Sequence, residues 1–369
     1  MTEHHSIRRS HLASNGEPLD RAERFRRLTR MLINHPKAES VHRSIEMFLD
    51  RSADSRSGVN YLVCGPSRVG KSTLSYAIYQ SLLQKEADSL KRPLRGKYIE
   101  LEDRDIRPVL WVEAKADTTT VALLEKLLEE LGDPSPSAGK IPEKERRLSK
   151  HLFQQGVKAV IIDEVQHFAQ HRTAKFQYKL ADWLKSNLQN IKHNSSENGN
   201  GLEESFCHII FFGTDESRVL LQQNEQLKGR NIGGHNYTPY NWEIDEERES
   251  YLDVLSSIDS SIPFAESSDL DEYHRALKIN EAADGSMGLT MKLIQAAGIM
   301  AIRDESDRIL DIHLRDGFDE LEAVIGLKDN PWRIDDEPGS SRKKAAIRPN
   351  RSTTLKGKGP STEPSFHKK

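Results

Sequence analysis

The sequence has only two cysteines in 369 residues, Cys64 and Cys207, and no C-x-x-C pair. This scarcity excludes a disulfide framework and a cysteine-built zinc site, leaving both thiols as small core residues. There is no apolar run approaching the roughly 20 residues of a membrane-spanning helix. Residues 1–9 carry charges and histidines where a signal peptide would have its apolar stretch. These absences predict a cytosolic protein. Apolar residues are also sparse: hydrophobic types make up 36% and the mean hydropathy is -0.68. Values that low predict polar tails or solvated insertions around a core of ordinary size.

What is present is unevenly distributed. The formal net charge is -3, yet residues 340–369 hold nine Lys or Arg against one acid. That segment is rich in Ser, Pro, Gly and Lys and cannot bury enough surface to fold alone. It reads either as a solubilising tail or as a weak, salt-dependent nucleic-acid contact. The chain is longer than one compact domain usually needs, so a main domain with smaller additions is expected.

The chemistry begins at Gly65-Pro66-Ser67-Arg68-Val69-Gly70-Lys71-Ser72-Thr73, a phosphate-loop pattern G-x-x-x-x-G-K-[ST] placed after the apolar run Tyr61-Leu62-Val63-Cys64. A tight loop from strand to helix turns backbone N–H groups inward, where they and the helix N-terminus cradle phosphate oxygens. Gly65 and Gly70 permit the turn. Lys71 is expected to reach the β- and γ-phosphates of a nucleoside triphosphate, and the Ser72 hydroxyl to ligate Mg²⁺.

A second motif, Ala159-Val160-Ile161-Ile162-Asp163-Glu164, is an apolar strand ending in two acids. A buried parallel strand presents carboxylates at its C-terminal edge in this way. Asp163 is the expected Mg²⁺ partner, and Glu164 the general base on the attacking water. A further strand, 207–212, ends in Gly213-Thr214. Thr214 would orient the lytic water from the same sheet edge, or simply close a turn beside Asp215.

Between these motifs the spacing predicts helices over 20–33, 36–50, 121–131 and 143–155. It also predicts a strand over 109–112, a hairpin or insertion within the charged stretch 91–107, and an exposed Asn/Ser/Gly-rich loop at 194–201. Alternating βα units imply an α/β fold with a parallel, doubly wound sheet.

In order and spacing these motifs resemble AAA+ ATPases of the TniB/TnsC type, regulators of DNA transposition in Tn-seven-like or CRISPR-associated transposons. The resemblance spans about residues 22–328. It rests on Ile33-Asn34-His35-Pro36, the phosphate loop, Ile162-Asp163-Glu164-Val165-Gln166-His167, Phe212-Gly213-Thr214-Asp215-Glu216, Gln226-Leu227-Lys228-Gly229-Arg230, Trp242, and Gly285-Ser286-Met287-Gly288 with Ala296-Ala297. It implies an N-terminal helical arm (1–57), a P-loop AAA+ domain (58–240), a small C-terminal helical lid (241–327) and a disordered basic tail (328–369). It further implies an ATPase that assembles as a ring or helical filament on double-stranded DNA and links a target-selector protein of TniQ type to a transposase.

Arg230 then matches the arginine that such proteins place against a neighbouring subunit's nucleotide, with Arg218 as the competing candidate. The segment Ala114 to Thr120 would face the central channel, offering Lys115, Thr118 and Thr119 to DNA phosphates, with Asp117 opposing them. The usual lid arginine has Lys292 as its nearest cation here. His35 and its neighbours are candidates to line the adenine. An ATPase of a non-transposition regulatory or secretion system, and a nucleotide-gated scaffold with incidental hydrolysis, are the rival readings.

Overall fold

The structure, a computed structural model, describes residues 9–13, 17–102, 104–116, 118–168, 174–194, 202–218, 225–325 and 329–333. Two helices lead in. α1 (Arg21–Arg30) opens on Asp20, whose carboxylate accepts from the Glu23 N–H at 2.7 Å, satisfying an amide left free in the first turn. α2 (Pro36–Ser52) opens on Pro36, whose missing N–H costs nothing there. Arg26, Arg27 and Arg30 are exposed on α1, as their spacing predicts.

β1 (Asn60–Cys64) and the phosphate-loop residues lead to α3 (Lys71–Leu90). The charged stretch expected as an insertion forms three short antiparallel strands, β2 (Leu94–Arg95), β3 (Tyr98–Glu100) and β4 (Asp105–Ile106). Then follow β5 (Val109–Glu113), α4 (Thr120–Glu130), α5 (Ile141–Gln154) and β6 (Ala159–Asp163). Next come α6 (Ala174–Leu184), the antiparallel pair β7 (Ile191–Asn194) and β8 (Leu202–Ser205), and β9 (His208–Gly213). A short α7 (Glu225–Lys228) delivers the chain to β10 (Asn231–Asn236). Four helices complete it: α8 (Asp245–Ser261), α9 (Tyr273–Ala283), α10 (Met287–Arg303) and α11 (Asp311–Ile325).

The main sheet has the order β10-β1-β9-β6-β5, and every pairing in it is parallel. Period-two alternation sorts its side chains onto two faces. Tyr61, Val63, Ile161, Ile210 and Phe212 pack with Ile45 and Phe48 of α2 and Ile78 and Leu82 of α3. Leu62, Leu110, Val112, Ile162 and Phe211 pack with residues of α4, α5 and α6. Asp163 continues the parity of Ile161, so the acid lies on the α3 face. Cys64 and Cys207 are buried and unpaired, and burial pushes the Cys64 thiol up to about 11, as expected of core residues.

β10 is the strand that sequence reasoning did not find. Its residues Asn-Ile-Gly-Gly-His-Asn have no apolar pattern, because it is an edge strand exposing alternate side chains. A Cβ on Gly234 would stand 2.8 Å from the Leu62 carbonyl oxygen, so the glycine is a condition of the pairing. The β7–β8 hairpin was also not anticipated. Of the loop expected at 194–201 only Asn194 is described, where it ends β7; Asp117 and residues 340–369 lie outside the described residues.

The two leading helices divide between two cores. α2 packs on the sheet, whereas Leu28 of α1 is fully buried among Tyr251, Leu255, Ile279, Leu293 and Phe318 of the C-terminal helices. Arg24 secures this docking: Nε donates to the Pro263 carbonyl and Nη2 to that of Ser306, both at 3.0 Å, with the guanidinium 4.8 Å from the Phe264 ring centre. A Cβ on Gly298 would meet a Leu28 methyl at 2.6 Å. Among the described residues no single helix is long and apolar enough to cross a membrane.

The Leu28 contact predicts that Leu28→Ala destabilises the fold by about 2–5 kcal/mol, measured by urea unfolding. A change under about 0.5 kcal/mol, the level of an ordinary surface site, would show that α1 is not docked in solution.

Candidate nucleotide-binding site

The phosphate loop is held from both sides. The Gly65 N–H donates to the Gly213 carbonyl at 3.2 Å, and a Cβ on Gly65 would strike the Tyr237 carbonyl oxygen at 2.1 Å. Arg68 and Gly70 have φ of 67° and 105°, the left-handed conformation that re-aims the backbone before α3. Pro66, Ser67, Arg68, Ser72 and Thr73 are exposed, while Val69 anchors the loop in the core. Lys71 is buried, and its ammonium donates to the carbonyls of Gly65 at 3.0 Å and Pro66 at 2.7 Å. Burial lowers its pKa, and the nearby Glu164 and Asp163 oppose that shift.

Both acids stand against the start of α3. The Ser72 hydroxyl donates to Glu164 Oε1 at 3.2 Å. Asp163 has no exposed surface, and burial raises its pKa, while hydrogen bonds from the Glu164 N–H and Ser75 oppose the shift. Its Oδ1 accepts from the Glu164 N–H at 2.9 Å and its Oδ2 from the Ser75 hydroxyl at 3.0 Å. Glu164 has φ of 55°, a left-handed conformation costing a non-glycine residue about 1–2 kcal/mol. Strain of this kind gathers at functional sites.

Gln166 joins this pair to the neighbouring strand. Its Nε2 donates to Glu164 Oε2, and its Oε1 accepts from the Thr214 N–H at 3.1 Å. The Thr214 hydroxyl oxygen is buried with no hydrogen-bond partner among the described residues. Thr214 therefore stands at the sheet edge beside the acids, as its sequence position predicted.

The donor set suits Mg²⁺. Ser72 and Asp163 offer hard oxygens beside a phosphate cradle, and no cluster of three His, Cys, Asp or Glu able to hold a metal occurs among the described residues. Mg²⁺ is commonly held in this way, by one or two protein oxygens plus substrate phosphates.

Above the loop is a cavity of about 1000 Å³, lined by residues 29–35 and Ala38 of the leading segment, the loop, Glu164, Tyr237, and Met287, Gly288, Met291, Lys292 and Gln295 of α10. The last four share one helix face by their three- and four-residue spacing. α10 rests on the loop itself. The Ser286 hydroxyl donates to the Arg68 carbonyl at 2.7 Å and the Gly288 N–H to that of Val69 at 3.3 Å. A Cβ on Gly288 would stand 2.3 Å from the Arg68 oxygen, so only glycine permits this approach. Lys292 is exposed and borders the cavity, one turn beyond Gly288.

His35 also borders the cavity. Its ring is buried between two phenols, Nε2 at 2.9 Å from the Tyr237 hydroxyl and Nδ1 at 3.1 Å from that of Tyr240. Burial, with a smaller contribution from Lys37, lowers its pKa to about 4.

The two arginines occupy opposite ends of the sheet. Arg218 bonds Asp215 at 3.2 Å and also Asn236, which pairs in register with Cys64 at the loop end. Arg230 precedes Asn231, which pairs with Asn60 at the far end, and its Nη1 donates to the Gly58 carbonyl at 3.0 Å. The length of β1 separates Arg230 from its own loop by about 16 Å. Lys115 is exposed beyond β5. The Thr118 hydroxyl accepts from the Lys115 N–H at 2.7 Å, and that of Thr119 caps α4 by accepting from the Ala122 N–H at 3.1 Å.

Sequence reasoning missed Ser75, Trp111 and Tyr237. Ser75 sits one turn after Lys71 on the same helix face, which was the available signal. The other two carry no motif.

A neutral His35 predicts a pH dependence. Its folded pKa lies below the ordinary value of 6.5, so the unfolded chain binds the extra proton first. Stability is complete above about pH 6.5 and falls as pH drops towards about 4, by up to about 3 kcal/mol. Urea unfolding at pH 7 and pH 4.5 measures this, and His35→Gln should remove most of the difference; an equal difference in both proteins would refute the assignment.

The chain is similar in structure to the Aeropyrum pernix ORC2 protein (TM-score 0.55, 15% identity, covering 81% of this chain and 74% of that one). It is also similar to the Aeropyrum pernix ORC1 protein in complex with DNA (TM-score 0.52, 16% identity, 81% and 69%) and to Cdc6p from Pyrobaculum aerophilum (TM-score 0.54, 12% identity, 84% and 75%). At these identities the likeness concerns the fold alone. No curated protein matches the sequence. The family model described as "Bacterial TniB protein" matches residues 24–231, from the middle of α1 through the phosphate loop and both acids to the first residue of β10, and the chain belongs to that family.

Proposed function

We propose that the protein is an ATPase acting in DNA transposition, in which bound ATP holds copies of the chain together on double-stranded DNA and hydrolysis releases them. The observation that carries the ATPase reading is the meeting of the phosphate loop with the two acids, Ser72 Oγ lying 3.2 Å from Glu164 Oε1. The site belongs to an ATPase domain over 58–240, closed by the lid over 241–327.

In this reading the amides of 65–71 and Lys71 bind the phosphates, while residues 31–35 and the Met287–Gln295 face of α10 enclose the nucleoside. Ser72 and Asp163 would hold Mg²⁺, which when bound offsets the negative charge of the β- and γ-phosphates. Glu164 accepts a proton from the attacking water, and Thr214, whose hydroxyl has no other partner among the described residues, orients that water. Gln166 keeps Glu164 in register with the Thr214 strand.

Arg230 acts on the nucleotide of the neighbouring copy. Its distance from its own loop leaves it that role, whereas Arg218 stands at its own loop's end of the sheet. Charge developing at the γ-phosphate is then neutralised only within an assembly. Lys115, Thr118 and Thr119 would meet DNA phosphates, a contact that reads no bases. Both hydroxyls already accept backbone N–H groups and could offer a phosphate only a neutral O–H donor, so the charged lysine contributes most of the attraction. Family membership supports the coupling of a TniQ-type target selector to a transposase.

Three measurements test this. Imaging with duplex DNA and a non-hydrolysable ATP analogue should show rings or filaments, and Glu164→Gln should keep that assembly while lowering turnover at least about 100-fold. Persistent monomers, or unchanged turnover, would refute the respective assignment. Lys71→Ala and Arg230→Ala should each be inactive alone and recover part of the turnover when mixed, since one supplies the arginine and the other the loop. No recovery on mixing would remove Arg230 from the shared site.

A further inference from the structure

We propose that Trp111 and Ser75 form a relay that positions Asp163 for the cation, a role resting on the reading of this site as Mg²⁺-dependent. The indole Nε1–H of Trp111 donates to Ser75 Oγ at 3.0 Å, and Ser75 Oγ donates to Asp163 Oδ2 at 3.0 Å. Three elements meet in this line: β5, α3 and β6.

The sheet dictates the meeting. Trp111 pairs in register with Ile161, and Asp163 lies two residues further along the same strand, so both side chains fall on the α3 face. Ser75 reaches that face from α3, one turn after Lys71, and has no exposed surface. The indole is fixed against the Tyr76 ring, edge to face at 5.4 Å between centres.

A serine is a modest helix former, and a hydroxyl in a core is costly unless bonded, so alanine would serve packing better here. The hydroxyl has one proton and two acceptors at the same distance, Asp163 Oδ2 and the Ser72 carbonyl, each at 3.0 Å. A carboxylate is the stronger acceptor of the two. Trp111 decides the contest further, because its N–H occupies a lone pair of Ser75 Oγ and so limits how the hydroxyl can turn. Asp163 is thereby held at both oxygens, Oδ1 by the Glu164 N–H and Oδ2 by Ser75. Its orientation towards Ser72 is set before any cation arrives. Partners behind a metal-binding carboxylate typically affect metal affinity about 10–100-fold.

The test uses the full chain with Mn²⁺ as the probe, its binding followed by electron paramagnetic resonance in the presence of a non-hydrolysable ATP analogue. Ser75→Ala and Trp111→Phe should each weaken Mn²⁺ binding about tenfold. Affinity for the analogue measured in chelator without metal should stay within about twofold, a separation that general damage to the fold would not produce. Trp111→Phe keeps an aromatic ring at the position while removing the donor and part of the indole's volume, and the metal-free nucleotide measurement registers any loss from packing, so it decides the matter if Ser75→Ala does not fold. Wild-type Mn²⁺ affinity in Trp111→Phe, or equal loss of metal and metal-free nucleotide binding, would overturn the relay. Absence of Mn²⁺ uptake by the wild-type complex would instead overturn the Mg²⁺ reading on which it rests.

Discussion

An ionised carboxylate with no access to water is expensive to keep, by several kcal/mol when it lacks partners. Asp163 has no exposed surface, so burial disfavours its ionised form, and the site depends on how that cost is met. It takes hydrogen bonds at both oxygens, from the Glu164 N–H and from Ser75. Lys71 has the opposite difficulty, since burial disfavours its ammonium while Glu164 and Asp163 favour it. Lysine and acids therefore stabilise one another only while α3 is pressed to the sheet with β6 in register. The apolar packing of Ile161, Ile210 and Phe212 against Ile78 and Leu82 does that pressing, which makes the core a condition of the chemistry.

Local sequence displayed this site where the chemistry itself constrains local sequence. The phosphate loop needs its glycines and lysine in fixed places between strand and helix, and β6 must be apolar up to the acids it presents. Gly65, Lys71, Ser72, Asp163, Glu164 and Thr214 were accordingly readable as a group, and the fold class with them. β10 was not readable, because an edge strand needs no apolar alternation and its pairing with β1 asks for glycine, which ordinarily signals a turn. The bond from Trp111 to Ser75 spans a distance in sequence across which no periodicity operates. The helical pattern of α1 announced a buried stripe without saying which core would receive it; Leu28 entered the lid while α2 joined the sheet. Arg230 and its competitor Arg218 fell at opposite ends of β10 only once its register with β1 was known.

Three segments remote in sequence converge on the loop. Tyr237 presses its carbonyl against Gly65 and offers its hydroxyl to His35. Tyr240 bonds the other nitrogen of that ring, and its N–H donates to the Gly285 carbonyl at 2.8 Å. Gly285 opens the turn from which Ser286 and Gly288 bond the loop's own carbonyls. The leading segment, the exit from the sheet and the lid are thus joined through groups that also border the nucleotide cavity. Rotation of the lid must alter the loop that would grip phosphate.

The docking of α1 and α10 across the cavity also orders events during synthesis. A nascent chain that has reached Asn236 already contains all five strands of the main sheet, the phosphate loop and both acids. It still lacks Met287 to Gln295, which line one side of the cavity, and Pro263 and Ser306, the carbonyls that hold Arg24. The loop therefore emerges from the ribosome well before the cavity around it is complete. Full enclosure of a nucleotide waits for the C-terminal helices.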